Sequence, residues 1–222
     1  MNESERIEHL ESLLATFLRP IKGIPFPIVI RAICGKVVEN IDLRDPNDQA
    51  LIDALTATAH GVAHAVAAAP IRRPRPNEVG NDLEPFVMKA AVAAGLVSKA
   101  PRSASGKGQQ VGYPDVLLYD SLGRPTYLEV KSFAYDTVPN SMRSFYLSPS
   151  ANPKVCMNAR HLVLGFGTKA TPIEGSRDSH YTVASFKLIN LYDLECDVKY
   201  EFNSDNIRMY DKKLILAHGN FG

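Results

Sequence analysis

The sequence predicts an α/β (α+β) fold in which helices flank a set of strands, two of them joined as a hairpin. Three observations carry this expectation. Apolar residues recur at helical spacing from Ser4 to Leu18 and again through the Ala-rich stretch from Gln49 to Ala69. Short apolar runs rich in β-branched and aromatic residues stand at 113–120, 126–132, 161–167 and 181–189. Between the first two runs lies Asp120-Ser121-Leu122-Gly123-Arg124-Pro125, which is turn-forming composition.

Taken in order, Ile7, Leu10, Leu13, Leu14, Phe17 and Leu18 line one face of an amphipathic helix, with Ser4 as its cap. Pro20, Pro25 and Pro27 close it, and the run Ile28 to Ile33 reads either as a strand or as the start of a buried helix. Asp45-Pro46-Asn47-Asp48 is a turn that opens a second helix through Leu51, Ile52, Leu55, Val62 and Val66. His60 and His64 stand four apart on it, a metal-capable spacing, but Gly61 occupies the place where a zinc protease needs glutamate, so they are read as ordinary histidines. Residues 70–76 form a proline-stiffened basic linker, either a phosphate contact or a solvated connector. A further helix follows, capped by Asn81 or Asp82, with Pro85 in its first turn and Gly95 at its end. Residues 99–110 are a basic Gly/Ser-rich loop; Gly108 after Lys107 excludes a Walker motif, and Gly165 with Gly167 does not extend to a dinucleotide fingerprint. The tail, through Ile207–Met209 and Leu214–Leu216, would add an edge strand or pack on a partner.

At 222 residues with 45% hydrophobic content the chain can bury one substantial core, so one domain over 1–222 is expected, with a helical part at 1–70 and a core at 77–190. A formal net charge of +1 means that any polyanion must be met by local basic clusters. Cys34, Cys156 and Cys196 are odd in number and lack C-x-x-C spacing, which argues against a disulfide framework or a zinc site and for a reducing cytoplasm. The acidic N-terminus and the lack of any apolar run near the roughly 18 residues of a membrane span give neither export signal nor anchor.

The chemistry converges on the hairpin. Side chains alternate along a strand, so Glu129 and Lys131 share one face while Leu128 and Val130 share the other. A loop centred near Leu122-Gly123 sets Asp115 opposite residue 129, 130 or 131. Strands lie about 4.8 Å apart, close enough for Asp115 and Glu129 to share a cation. Two carboxylates held so close repel, and a divalent metal relieves that repulsion.

Pro114-Asp115 and Glu129-Val130-Lys131 resemble, residue for residue, the motif of the PD-(D/E)xK nuclease superfamily, over a segment from about Asn77 to Phe166. The resemblance implies a mixed central β-sheet with a catalytic hairpin flanked by helices, as in restriction endonucleases. It implies that Asp115, Glu129 and the Val130 carbonyl hold Mg²⁺, as one or two ions, and that Lys131 serves the attacking water. By the same likeness Glu84 supplies a further acid, with Glu78 as second choice. Arg102, Lys107, Arg143 and Lys154 are candidates for phosphate contacts, and Asn140, Ser141, Ser148 and Asn152 are residue types that read base edges. The expected function is a Mg-dependent type II restriction endonuclease acting on double-stranded DNA. It is expected to be a homodimer because a palindromic site matches two-fold symmetry. The alternatives are a structure-specific repair or recombination nuclease and a non-catalytic DNA-binding module of the same fold.

Overall fold

A computed structural model describes residues 2–75, 78–106, 112–135, 145–200 and Leu214. The chain divides into two compact units, Pro25–Glu195 and a smaller one made of Met1–Ile24 with Cys196–Gly222. In the smaller unit, helix α1 spans Glu3–Phe17. Its cap is Asn2, not Ser4: the Asn2 side chain accepts from the Glu5 N–H while Glu5 reaches back to the Asn2 N–H, a reciprocal capping box. The apolar residues Ile7, Leu10, Leu14 and Phe17 are exposed. The tail strand expected from the sequence lies outside the described residues, Leu214 excepted.

In the larger unit the ambiguous run after Pro25 is helix α2, Phe26–Cys34, with proline in its first turn, where a missing N–H costs nothing, and Gly35 at φ 64° as its C-cap. Helix α3 covers Pro46–Ala68, capped by Asp45, whose carboxylate accepts the Asn47 N–H. Helix α4 covers Val79–Ala93, starting earlier than Asn81 or Asp82 would cap it. The strands are β1 Val38–Glu39, β2 Ile71–Arg73, β3 Val97–Lys99, β4 Val116–Tyr119, β5 Pro125–Ala134, β6 Ala159–Pro172 and β7 Ser179–Asn190.

They form one mixed sheet in the order β2-β7-β6-β5-β4-β3, with β1 added in parallel at the start of β6. β5 and β6 run parallel; the pairs β4 with β5, β6 with β7, β3 with β4 and β2 with β7 are antiparallel. This is the mixed central sheet with a hairpin flanked by helices that was expected. Three strands were not, the first being β1, which pairs in parallel with β6. Residues 71–73 extend the sheet edge rather than forming a linker, and their arginines pair with acids, Arg72 with Asp178 at 2.7 Å and Arg73 with Asp82 at 2.6 Å. Residues 97–99 pair with β4.

One face of the sheet is the main core. Val116, Leu118, Leu128, Val130, Leu162, Leu164 and Phe166 pack with Leu51, Leu55, Val62 and Val66 of α3 and Leu83, Val87 and Ala91 of α4. The other face carries an aromatic cluster of Phe26, Tyr113, Phe145, Tyr127 and His161. His60 and His64 lie exposed on α3. The glycines at 165 and 167 serve packing: the Phe133 ring lies over both, 3.6 Å and 3.1 Å from where a Cβ would stand. No helix among the described residues is long and apolar enough to cross a membrane.

Candidate active site

The hairpin register decides which groups meet. β4 and β5 pair Val116 with Leu128, Leu117 with Tyr127 and Leu118 with Thr126. One step beyond the first of these pairs, Asp115 comes opposite Glu129, inside the range that the turn allowed. Asp115 Oδ2 accepts the main-chain N–H of Val130 at 2.8 Å, which fixes the carboxylate against β5. Val130 sends its side chain into the core.

Glu129 is 4% exposed, and its Oε1 lies 2.6 Å from Lys131 Nζ. Its other oxygen, Oε2, is buried without a hydrogen-bond partner. Burial, and then the charge of Asp115 beside it, push the Glu129 carboxyl up to about 7, and the Lys131 ammonium offsets only part of that. Lys131 also sits 5.8 Å from the centre of the Tyr146 ring.

Glu84 is carried by α4. A Cβ on Gly80 would stand 3.5 Å from Ser132 Oγ, so the first turn of that helix lies against β5 next to Lys131. Glu84 is half-buried; burial raises its pKa, and the charge of Asp115 raises it further against Lys154 and Lys131. The four groups singled out by sequence thus share one end of the sheet. Glu78, the second choice, sits at the N-cap of α4, where its nearest described influence is on Arg73.

Lys154 is placed differently from the phosphate contact expected of it. It is 5% exposed, and its Nζ donates to the carbonyls of Gly112 at 2.6 Å and Pro114 at 3.1 Å. A buried ammonium that spends two of its three donors on main-chain carbonyls is turned away from the solvent side where a phosphate would approach. Asn152, a candidate base reader, instead ties two segments together: Nδ2 reaches Ser103 Oγ and Ser105 Oγ, and Oδ1 accepts the Ser105 N–H. Arg102 and Ser148 are exposed. Lys107, Asn140, Ser141 and Arg143 lie outside the described residues.

Tyr113 and His161 were not singled out by sequence. The Tyr113 hydroxyl meets His161 Nδ1 at 2.6 Å, and the rings stack at 5.9 Å and 15°. Burial raises the Tyr113 pKa well above its usual value, with Glu129 and Asp115 adding to it, and burial pushes His161 down to about 3. Tyrosine directly before Pro114-Asp115 was the one available signal.

Among the described residues no three His, Cys, Asp or Glu side chains are gathered tightly enough to hold a metal ion by themselves. Asp115 and Glu129 do fit one as a pair, because both are hard oxygen donors on one face, near enough for one carboxyl to hydrogen-bond the other when it carries a proton, and no donor meets the buried Glu129 Oε2.

A profile of the type II restriction enzyme MjaV family matches residues 20–213. The chain belongs to that family. A curated relative, the type II restriction enzyme MjaV of Methanocaldococcus jannaschii, is 32% identical over 231 aligned residues that cover 97% of each chain. In this member of the MjaV family the matched span takes in the whole hairpin, both flanking helices and the acids at its open end.

Proposed function

We propose that this enzyme breaks the phosphodiester bond at the open end of the hairpin, with Asp115, Glu129 and Lys131 in the arrangement of PD-(D/E)xK nucleases. The chain is a type II restriction enzyme, a site-specific deoxyribonuclease. The observation that carries the placement is Glu129, a buried carboxyl facing a second acid with one oxygen unpartnered. Perturbed buried acids of this kind gather at working sites.

Asp115 and Glu129 would hold Mg²⁺, with the Val130 carbonyl as a further oxygen donor and Glu84 acting through a water, and an ion there would supply positive charge where the phosphate gains negative charge. Lys131, tethered to Glu129, holds the attacking water and offsets phosphate charge. Arg102 and Ser148 are exposed and remain candidates for the DNA surface. The enzyme works as a homodimer, one copy for each strand of a two-fold site.

Plasmid cleavage tests the reading. The wild type with Mg²⁺ yields discrete fragments, and Asp115→Asn loses at least about 100-fold in rate, the scale of a lost transition-state group, while still retarding the same fragments on a gel. Undiminished cutting by Asp115→Asn places the reaction elsewhere.

A further inference from the structure

We propose that Lys154 is a positioning residue of the cleavage site, clamping the main chain on both sides of Tyr113 so that Asp115 is presented to Glu129. This rests on the placement of the reaction at Asp115 and Glu129.

An ammonium has three donors and no acceptor. Two of those of Lys154 are spent on the carbonyls of Gly112 and Pro114, which bracket Tyr113 and end at Asp115. Burying the charge is costly without compensation. Burial lowers the Lys154 pKa, and the three acids of the site, Asp115, Glu129 and Glu84, act against that. Lys154 is therefore the internal counter-charge of the acid cluster as well as a clamp on the chain.

The clamp is itself anchored to the catalytic strand. The Tyr127 hydroxyl of β5 donates to the Lys154 carbonyl at 3.3 Å and accepts the Cys156 N–H at 2.9 Å. Tyr127 is nearly fully buried, so this anchor does not wander. A closed chain of contacts results: β5 holds residues 154–156, Lys154 holds 112 and 114, and Asp115 returns to β5 through the Val130 N–H. From the other side, His161 of β6 holds Tyr113 by its hydroxyl. Asp115, one residue before β4 begins, is thereby fixed without belonging to a strand.

The test compares Lys154→Met, which keeps the length and removes the charge, with Lys154→Arg, which keeps donors, and Asp115→Asn. The probes are a plasmid that the wild type cuts and a short duplex spanning one of its cleavage sites. Lys154→Met is expected to lower kcat by about 100-fold, the cost of misplacing a reacting group by about 1 Å, with duplex affinity in chelator and its salt dependence unchanged. Lys154→Arg is expected to recover part of that loss, and thermal melting checks that each variant folds. A weaker duplex affinity with a salt slope reduced by about one and an unchanged kcat would make Lys154 a phosphate contact and overturn the proposal, as would wild-type behaviour. Should Lys154→Met not fold, Lys154→Arg decides by the same split between kcat and affinity. An active Asp115→Asn removes the placement of the site itself; an inactive one beside a fully active Lys154→Met removes only the role of Lys154.

Discussion

At the turn end of the β4–β5 hairpin, Asp120 meets Arg124 Nε at 2.6 Å, Arg124 Nη1 meets Asp48 at 2.9 Å, and Arg160 Nη2 meets the same Asp48 oxygen at 2.8 Å. Arg160 also reaches Glu39, at 3.3 Å. At the open end, about one strand length away, Asp115, Glu129 and Glu84 face Lys131 and Lys154. Both ends hold acids and bases in a partly buried setting, yet their protonation is pushed in opposite directions. Burial alone would raise Asp120, but hydrogen bonds from the Arg124 main chain and guanidinium hold it below its usual value. Glu129 is driven upward by burial and by Asp115. The turn cluster pairs each charge with an opposite one, even though Arg160 Nε is buried there without a partner, whereas the open end leaves a buried acid pushed toward its protonated form.

Single substitutions at the two ends break or sharpen that contrast. Glu129→Gln has the largest expected effect: cleavage falls by at least about 100-fold, while the melting temperature at neutral pH holds or rises because a repulsion has gone. A clear drop in melting temperature would put Glu129 in the same class as the turn cluster. Arg124→Met acts the other way. It leaves Asp48 and Asp120 without their shared partner, and urea unfolding should show a loss of about 2–3 kcal/mol, at or below the low end for breaking a buried pair because the guanidinium is partly exposed. An unchanged unfolding midpoint would deny that cluster its structural role.

The smallest expected effect is on pH dependence. The folded state binds the Glu129 proton more tightly than the unfolded chain does, since its pKa is raised from 4.5 to about 7. Its contribution to the stability of the metal-free protein is therefore fully present below the unfolded value and is lost as pH rises through about 7. Divalent metal needs the deprotonated form, so affinity should fall by up to about tenfold per unit as pH drops below about 7. Calorimetric titration of Mg²⁺ one unit either side of that value measures it. An identical pH dependence in Glu129→Gln would assign the proton to another group.

Much of this was readable from the chain. Asp115 and Glu129 are local to one hairpin, and the period of two along a strand with a turn at Leu122-Gly123 leaves few registers, so their meeting follows from sequence. Glu84 needed the resemblance, since nothing local says where α4 lies. Lys154 was misread because a lysine in a polar loop carries no local mark of burial; its place depends on Tyr127, 27 residues away, and on carbonyls at 112 and 114. The strand at 71–73 was hidden by prolines on both sides and by two arginines that are exposed yet paired with distant acids. Asn2, which caps α1, was overlooked in favour of Ser4, although Glu5 three residues on marks the capping box.

β5 lies inside the sheet, with β4 on one side and β6 on the other. A strand so enclosed cannot slip by a residue without losing both ladders and turning Glu129 and Lys131 into the core. With the reaction placed there as proposed, the site assembles only as these ladders form. On that placement a misregistered chain would not bring Asp115 opposite Glu129, and cutting is expected only from molecules that have finished folding.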